Sequence, residues 1–373
     1  MKLLFAIKHL GSQVGGAERV LCAICSELVV RGHEVTVLTF DRPGAQSFYP
    51  LDARIRRVDL GIGESAKSAR LGETIQRIVA LRQTVLEQRP ELVVGFMHSI
   101  YVLLALALAG TGIPVVGSEH TVPTAYRTRP LQYLLLFLTS PLLTKMTVLS
   151  ESIRMSFPAL VRARMVVMSN PVIEALGQAD HDTRKTRHIL LNVGRLDTPK
   201  DHSTLLRAFA LIATSHPTWE LRITGEGRLR PDLEQLVHDL KLEGRVHMPG
   251  ITSDIGAEYR AADIFVISSS YEAFGLVTAE AMSYGLPVVG FADCPGTNEL
   301  VQNGQTGLLA SGNPDRAQSL ASEMDRLLSD SELRRRMGDA GKLAISRIGS
   351  LKQVCDSWEE LLGTLRSPAM ERG

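Results

Sequence analysis

Four cysteines in 373 residues are too few for a disulfide framework, so packed cores have to hold this chain together. Two of them, Cys22 and Cys25, spell C-x-x-C. They stand among Leu21, Ala23, Ile24 and Leu28 in a helical pattern, and no second Cys/His pair lies nearby to complete a zinc site. They read as packing residues. Also missing is any apolar run of about 18 residues, so no transmembrane helix is expected. The apolar start of Met1–His9 is cut short by Lys8 and His9 and reads as a first strand rather than a secretory signal. Net charge is almost absent, at +1. That balance conceals an asymmetry. Residues 1–170 carry 19 Lys and Arg against 12 Asp and Glu, and the remainder carries 22 against 28. A basic first half fits either a chance distribution over solvated faces or a partner such as anionic lipid or an anionic acceptor.

What is present is ordinary for an α/β enzyme: 45% hydrophobic and 22% charged residues, in a length that favours two domains. Strand-like and helix-like segments alternate. The pattern predicts strands over 3–8, 34–40, 92–96, 115–117 and 146–149, with helices over 17–31, 73–88, 100–109 and 131–138 between them. A polar stretch from Gly177 to His188 reads as an interdomain linker. Alternation then resumes, with strands over 189–193, 220–224, 246–248, 264–267 and 288–291. Helices are expected over 201–215, 230–240, 255–261 and 274–284. Mostly apolar strands separated by helices imply parallel sheets covered on both faces. The expected architecture is two Rossmann-like, doubly wound α/β domains facing each other across a cleft. Residues 1–173 would form the first, with a C-terminal helix over about 352–373 packing back on it, and 174–351 the second. In such sheets ligands sit beyond the carboxyl ends of the strands.

The glycine-rich and charged motifs fall at those ends. Glu272 and Glu280 bracket the start of a helix after the strand near Ile264. A helix start offers free N–H groups and partial positive charge to an anion, while a carboxylate on either side can accept from hydroxyls. A ligand with hydroxyls at both ends and an anion in the middle is a sugar nucleotide. Gly194-Arg195-Leu196-Asp197-Thr198-Pro199-Lys200 follows the first strand of the second domain. Arg195 can grip phosphate oxygens in a fork and Lys200 adds a point charge, ahead of a helix whose N-cap is expected at Asp201. Gly11-Ser12-Gln13-Val14-Gly15-Gly16 follows the chain's first strand, where glycines permit close approach to a phosphate. A dinucleotide reading would use this turn with Asp41 as the ribose-binding acid, although the spacing is not G-x-G-x-x-G. His98 is a weaker candidate, and Asn303-Gly304 and Thr306-Gly307 read as turns. Leu131–Leu143 reads as either a buried helix or an interfacial membrane contact.

Gly15-Gly16-Ala17-Glu18-Arg19, the Gly194–Lys200 segment, Gly225-Glu226-Gly227 and the Glu272/Glu280 pair with its Phe-Gly-Leu insert together resemble the retaining glycosyltransferases of family 4, over nearly the whole chain. The resemblance implies the GT-B fold. It also implies that Gly16 lends a backbone N–H to the donor's distal phosphate and that Arg195 and Lys200 bind the diphosphate. Glu272, with the N–H groups of Phe274, Gly275 and Leu276, would hold the donor sugar and phosphate, and Glu280 would accept from the ribose. His120, in Ser118-Glu119-His120, matches the position of a polar group near the reacting sugar. The variant is similar to members that build bacterial surface polysaccharides and lipid-linked glycans. It implies a hexosyltransferase using a nucleotide sugar, UDP by family frequency, with a saccharide or lipid-linked acceptor. Neither cofactor, metal nor nucleic acid is expected. The place implied is the cytoplasm, at the inner membrane face if the basic domain meets anionic lipid.

Rival readings are a nicotinamide-dependent oxidoreductase, a same-fold nucleotide-sugar epimerase or phosphorylase, and a non-catalytic sugar-binding protein. Asp180-His181-Asp182 spells a metal signature of a different glycosyltransferase fold. It lies in the polar stretch with no strand before it, so no metal role is assigned to it.

Overall fold

The computed structural model describes residues 1–11, 15–63, 71–172, 175–179 and 186–365. Ser12, Gln13 and Val14 of the glycine-rich turn, Asp180-His181-Asp182, and the C-terminal helix's expected continuation to 373 lie outside them. The chain divides into two compact units. One comprises Met1–Pro171 and the chain from Leu351 on, and the other is Val172–Ser350.

The first unit runs β1 (Lys2–Ala6), α1 (Gly16–Val30), β2 (Glu34–Thr39), β3 (Arg56–Asp59), α2 (Leu71–Gln88), β4 (Leu92–Phe96), α3 (His98–Ala107), β5 (Val115–Ser118), α4 (Pro130–Thr139), β6 (Lys145–Val148), α5 (Glu151–Ser156), α6 (Ala159–Arg162) and β7 (Met165–Val167). Its strands form one parallel sheet in the order β3-β2-β1-β4-β5-β6-β7. β1 and β4 are buried along nearly their whole length, as strands covered on both faces must be. Cys22 and Cys25 are buried free thiols on α1. Burial pushes Cys22 up to about 11, so they are packing residues, as their setting suggested.

The second unit runs β8 (His188–Val193), α7 (His202–Ile212), β9 (Trp219–Thr224), α8 (Arg230–Asp239), β10 (Val246–Gly250), α9 (Ile255–Ala261), β11 (Ile264–Val266), α10 (Leu276–Ser283), β12 (Val288–Phe291), α11 (Thr297–Leu300), β13 (Gly307–Ala310), α12 (Arg316–Ser329) and α13 (Ser331–Ile345). Its parallel sheet has the order β10-β9-β8-β11-β12-β13. In both sheets the order reverses beside the unit's first strand, between β1 and β4 and between β8 and β11. Those are the points where the connections diverge and leave room for a ligand. The last helix, α14 (Leu351–Thr364), belongs to the first unit and packs against α1.

Three strands were not read from the sequence. β3 is Arg-Arg-Val-Asp with no fully buried residue and no apolar run, and β7 is a run of only three apolar residues, Met-Val-Val, at the sheet edge. β13 begins at Gly307, so of the turn expected at Thr306-Gly307 only Thr306 lies in a turn. Gly307 opens that strand opposite Val288, and a Cβ there would come 2.2 Å from the Val288 carbonyl oxygen. The glycine therefore permits close strand approach rather than a turn. Gly304 is the turn residue, at φ +78°. The polar stretch also differs from a linker: Ala179 donates to the Tyr284 carbonyl at 2.8 Å, inside the second unit.

Candidate active site

At the reversal point of the second unit, two loops are joined. The loop after β8 passes through a short 3-10 turn at Thr198–Lys200, and the loop after β11 runs from Ser268 to Gly275. Ser268 Oγ donates to the Lys200 carbonyl at 2.8 Å, and the Ser270 N–H to the Pro199 carbonyl at 2.9 Å. Lys200 Nζ then reaches Glu272 Oε1 at 2.5 Å, and Ser269 Oγ donates to the same oxygen at 2.6 Å. The structure thus brings together Lys200 and Glu272, 72 positions apart, as an ion pair held at the strand ends.

Arg195 shares the β8 loop and is exposed. Its guanidinium has no carboxylate partner among the described residues. Asp201 caps α7, its carboxylate accepting from the Thr204 N–H at 3.3 Å and from Thr204 Oγ1 at 2.7 Å. It does so from a left-handed φ of 47°. Behind the loop, Asn192 on β8 donates to the Val266 carbonyl at 2.7 Å and pairs with His202 Nε2 at 3.0 Å, which fixes the two strand ends to α7. The β9 loop packs beneath: a Cβ on Gly225 would come 2.0 Å from the Gly194 carbonyl oxygen, and one on Gly227 2.3 Å from that of Leu196. Arg228 closes this side, binding Asp197 at 2.8 Å and Thr198 Oγ1 at 3.1 Å.

The α10 start differs from expectation in register. The helix begins at Leu276, so Phe274 and Gly275 precede it and Glu280 lies little more than one turn in. Gly275 occupies the N-cap position at φ +81° and no side chain caps the helix. The first-turn amides are therefore not taken by a capping oxygen and suit an anion. Glu272 is anchored below this turn, its N–H donating to the Pro295 carbonyl at 3.0 Å. Gly296 lies against it, where a Cβ would come 2.6 Å from the Glu272 carbonyl oxygen. Glu280 is only 5% exposed, and Oε2 accepts from the buried Tyr259 hydroxyl at 3.0 Å.

In the first unit, Gly16 opens α1 behind Gly15, again without a side-chain cap. Asp41 does not present a free ribose-binding acid. Its carboxylate takes the Leu10 N–H at 2.7 Å, the Gly11 N–H at 3.1 Å, Arg57 at 3.0 Å and His9 Nδ1 at 3.2 Å. It anchors the start of the glycine-rich turn, and the dinucleotide reading loses its acid. His120 follows β5. Its Nε2 pairs with Ser118 Oγ at 3.0 Å, Ser118 Oγ accepts from Thr147 at 2.9 Å, and the ring stacks on Phe96 at 4.8 Å. Burial pushes the imidazole down to about 4. Glu119 beside it is buried and accepts from Tyr101 at 2.5 Å and Tyr126 at 2.8 Å. His98 opens α3, paired with Gln132 at 3.1 Å, and burial lowers its pKa too.

Sequence reasoning missed Ser269, Tyr259, Asn192, His202 and Arg228. Each is an ordinary residue that matters only through a long-range contact. A weak signal existed in Arg228, a cation one residue past Gly225-Glu226-Gly227. Among the described residues no group of three or more His, Cys, Asp or Glu side chains converges as metal ligands would.

Known proteins resemble this chain in sequence and in fold. Residues 177–344 match the family described as glycosyl transferases group 1, and residues 14–175 match glycosyltransferase family 4. The chain belongs to this family of glycosyltransferases. An uncharacterized glycosyltransferase of Haemophilus influenzae is 26% identical over 97% of this chain and 99% of that protein. The Campylobacter jejuni enzyme named GalNAc-alpha-(1->4)-GalNAc-alpha-(1->3)-diNAcBac-PP-undecaprenol alpha-1,4-N-acetyl-D-galactosaminyltransferase is 23% identical over 98% of this chain and 99% of its own. Among solved structures, sucrose-phosphate synthase of Thermosynechococcus elongatus superposes with a TM-score of 0.83 at 21% identity, covering 97% of this chain and 98% of that one. Anabaena HepE in complex with UDP and glucose gives 0.80 at 21%, covering 98% and 100%. These likenesses establish the fold as GT-B.

Proposed function

We propose that this enzyme moves a hexose-type sugar from a nucleotide diphosphate donor, a UDP-sugar, to a saccharide or lipid-linked saccharide, with retention at the anomeric carbon. The carrying observation is the second unit's reversal point, where the Lys200–Glu272 pair, exposed Arg195 and the uncapped α10 start share one pair of joined loops. Support for the donor class comes from HepE, solved with UDP-glucose, and for the acceptor class from the Campylobacter relative named above.

Glycosyl transfer breaks the bond between the anomeric carbon and a phosphate oxygen. Negative charge grows on the leaving diphosphate and positive charge on the sugar ring. Arg195, Lys200 and the α10 amides would stabilise the first, and Glu272 would hold the sugar's hydroxyls. Groups of this kind are each worth on the order of 3 kcal/mol, so in this reading no divalent metal is required. The acceptor hydroxyl forms the new bond on the face the phosphate leaves, and its proton passes to the departing phosphate oxygen. Glu280, steadied by Tyr259, would accept from the ribose, while Gly16 and His120 serve the phosphate and the reacting sugar. The enzyme would work at the cytoplasmic membrane face, where lipid-linked acceptors are presented.

A panel of nucleotide sugars screened by thermal stabilisation tests the donor class, because a ligand that binds only the folded state raises the melting point by mass action. Stabilisation by one UDP-sugar is expected, weakened in Glu280→Ala by about 1–3 kcal/mol of binding energy. No response to any nucleotide sugar would overturn the reading. A glycosyl group trapped covalently on a side chain would overturn the same-face route alone.

A further inference from the structure

α4 carries its apolar surface outward. Leu136 and Thr139 are buried beneath it, but Leu131 is 67% exposed, Leu134 50% and Leu138 59%, with Leu135 and Leu142 exposed beside them. The four on the helix, Leu131, Leu134, Leu135 and Leu138, follow helical spacing and make one stripe, and Leu142 follows in a short 3-10 turn. The buried-helix expectation for Leu131–Leu143 is therefore incorrect for most of its leucines. A contiguous exposed apolar patch marks an interaction surface. Charge identifies the partner. From Thr121 to Ser150 the sequence holds Arg127, Arg129 and Lys145 and no Asp or Glu. Arg127 and Arg129 are exposed at the start of the helix, and neither has a carboxylate partner among the described residues. A second copy of this chain fits poorly, since a two-fold contact through the stripe would bring the same acid-free, cationic segment onto itself. Among the described residues no helix is long and apolar enough to cross a membrane, so the stripe would lie on a bilayer rather than span it.

We infer that α4 seats this protein on an anionic lipid bilayer, the leucine stripe entering the headgroup–acyl boundary and Arg127 and Arg129 meeting lipid phosphates. This deepens the proposed function by placing the enzyme where a lipid-linked acceptor is anchored, and it rests on that reading only for its purpose.

The test is flotation of the full chain with vesicles of phosphatidylcholine alone and of phosphatidylcholine with phosphatidylglycerol. Binding to the mixed vesicles is expected, and weaker binding to the neutral ones. Arg127→Gln and Arg129→Gln should each lower it about fivefold, from about 1 kcal/mol per cation. The triple variant Leu131→Gln, Leu134→Gln, Leu138→Gln should lower it at least about tenfold. Absence of vesicle binding, or binding unchanged in both sets, overturns the inference. So does concentration-dependent self-association that the triple variant abolishes while vesicle binding is unaffected. Thermal stabilisation by UDP-sugars, measured on the same preparations, confirms folding and separates the two readings. Its loss with vesicle binding intact removes the proposed function and leaves the bilayer seat, and the converse removes only the seat.

Discussion

Lys200 spends its charge on Glu272, so Arg195 is the cation most open to a diphosphate in the β8 loop. Arg195→Ala should reduce turnover by roughly a hundredfold or more, the cost of losing one donor to a developing anion, and Arg195→Lys should restore only part, since an ammonium cannot make the paired contacts. Steady-state kinetics decides, and an effect confined to KM would argue for uniform binding instead. His120 makes a different prediction. Its imidazole falls to about 4 in the fold against about 6.5 in an unfolded chain. The neutral form is thus favoured by folding. Its contribution is complete above about 6.5 and is lost as pH falls toward about 4. Urea unfolding at a series of pH values should show His120→Gln losing less stability across that window than the wild type. His98 and His202, whose values burial also lowers, would keep a residual slope. The Arg195, Lys200 and Glu272 residue types were legible in the sequence because charge at a strand end has few structural uses. Ser269 and Tyr259 were not, because a serine or tyrosine announces nothing until its partner 3 or 21 positions away is in place.

Elements were legible where burial writes a pattern. β4 and β12 were read with the bounds they have, since strands buried on both faces are continuous apolar runs. The edge strand β3 lacks such a run, and those of β7 and β13 are only three and four residues long, Met-Val-Val and Gly-Leu-Leu-Ala, so pairing in the folded sheet defines them. Glycines mark the other boundary, and two of them separate strain from collision. Gly225 and Gly304 both have positive φ, at +151° and +78°. A Cβ on Gly304 meets nothing within 4 Å, whereas one on Gly225 meets the Gly194 carbonyl oxygen at 2.0 Å. Gly304→Ala should cost about 1 kcal/mol through backbone conformation alone. Gly225→Ala adds displacement of the loop that bears Arg195, so a loss beyond the roughly 1–3 kcal/mol of strain is expected, together with weaker UDP-sugar stabilisation. Equal costs in chemical denaturation, with nucleotide response intact in both, would show that the β9 loop does not position the β8 loop.

At the scale of the whole chain, the closing helix returns to the unit that begins it. Arg31 on the α1 cap reaches Asp356 and Glu359, each at 2.6 Å, and His33 reaches Glu359 at 2.8 Å. These pairs are partly exposed and steer more than they stabilise. Burial of apolar side chains contributes more: Trp358, Cys355 and Leu362 are at most 2% exposed, and the Trp358 ring lies 6.3 Å from Phe5 and 6.4 Å from Phe96. The first unit's core is therefore completed by residues nearly two hundred positions beyond Pro171, and its sheet should not be stable without them. The chain has two tryptophans, Trp219 in the second unit and Trp358 in the first. A Trp219→Phe background leaves Trp358 as the fluorescent reporter of the first unit. In that background Leu362→Ala should lower the stability read by Trp358 by about 2–5 kcal/mol, the cost of a buried leucine cavity, seen as a lower urea midpoint. The same substitution in a Trp358→Phe background, followed through Trp219, tests whether the loss stays in the first unit. An unmoved Trp358 midpoint would mean that α14 rests on a core already complete without it.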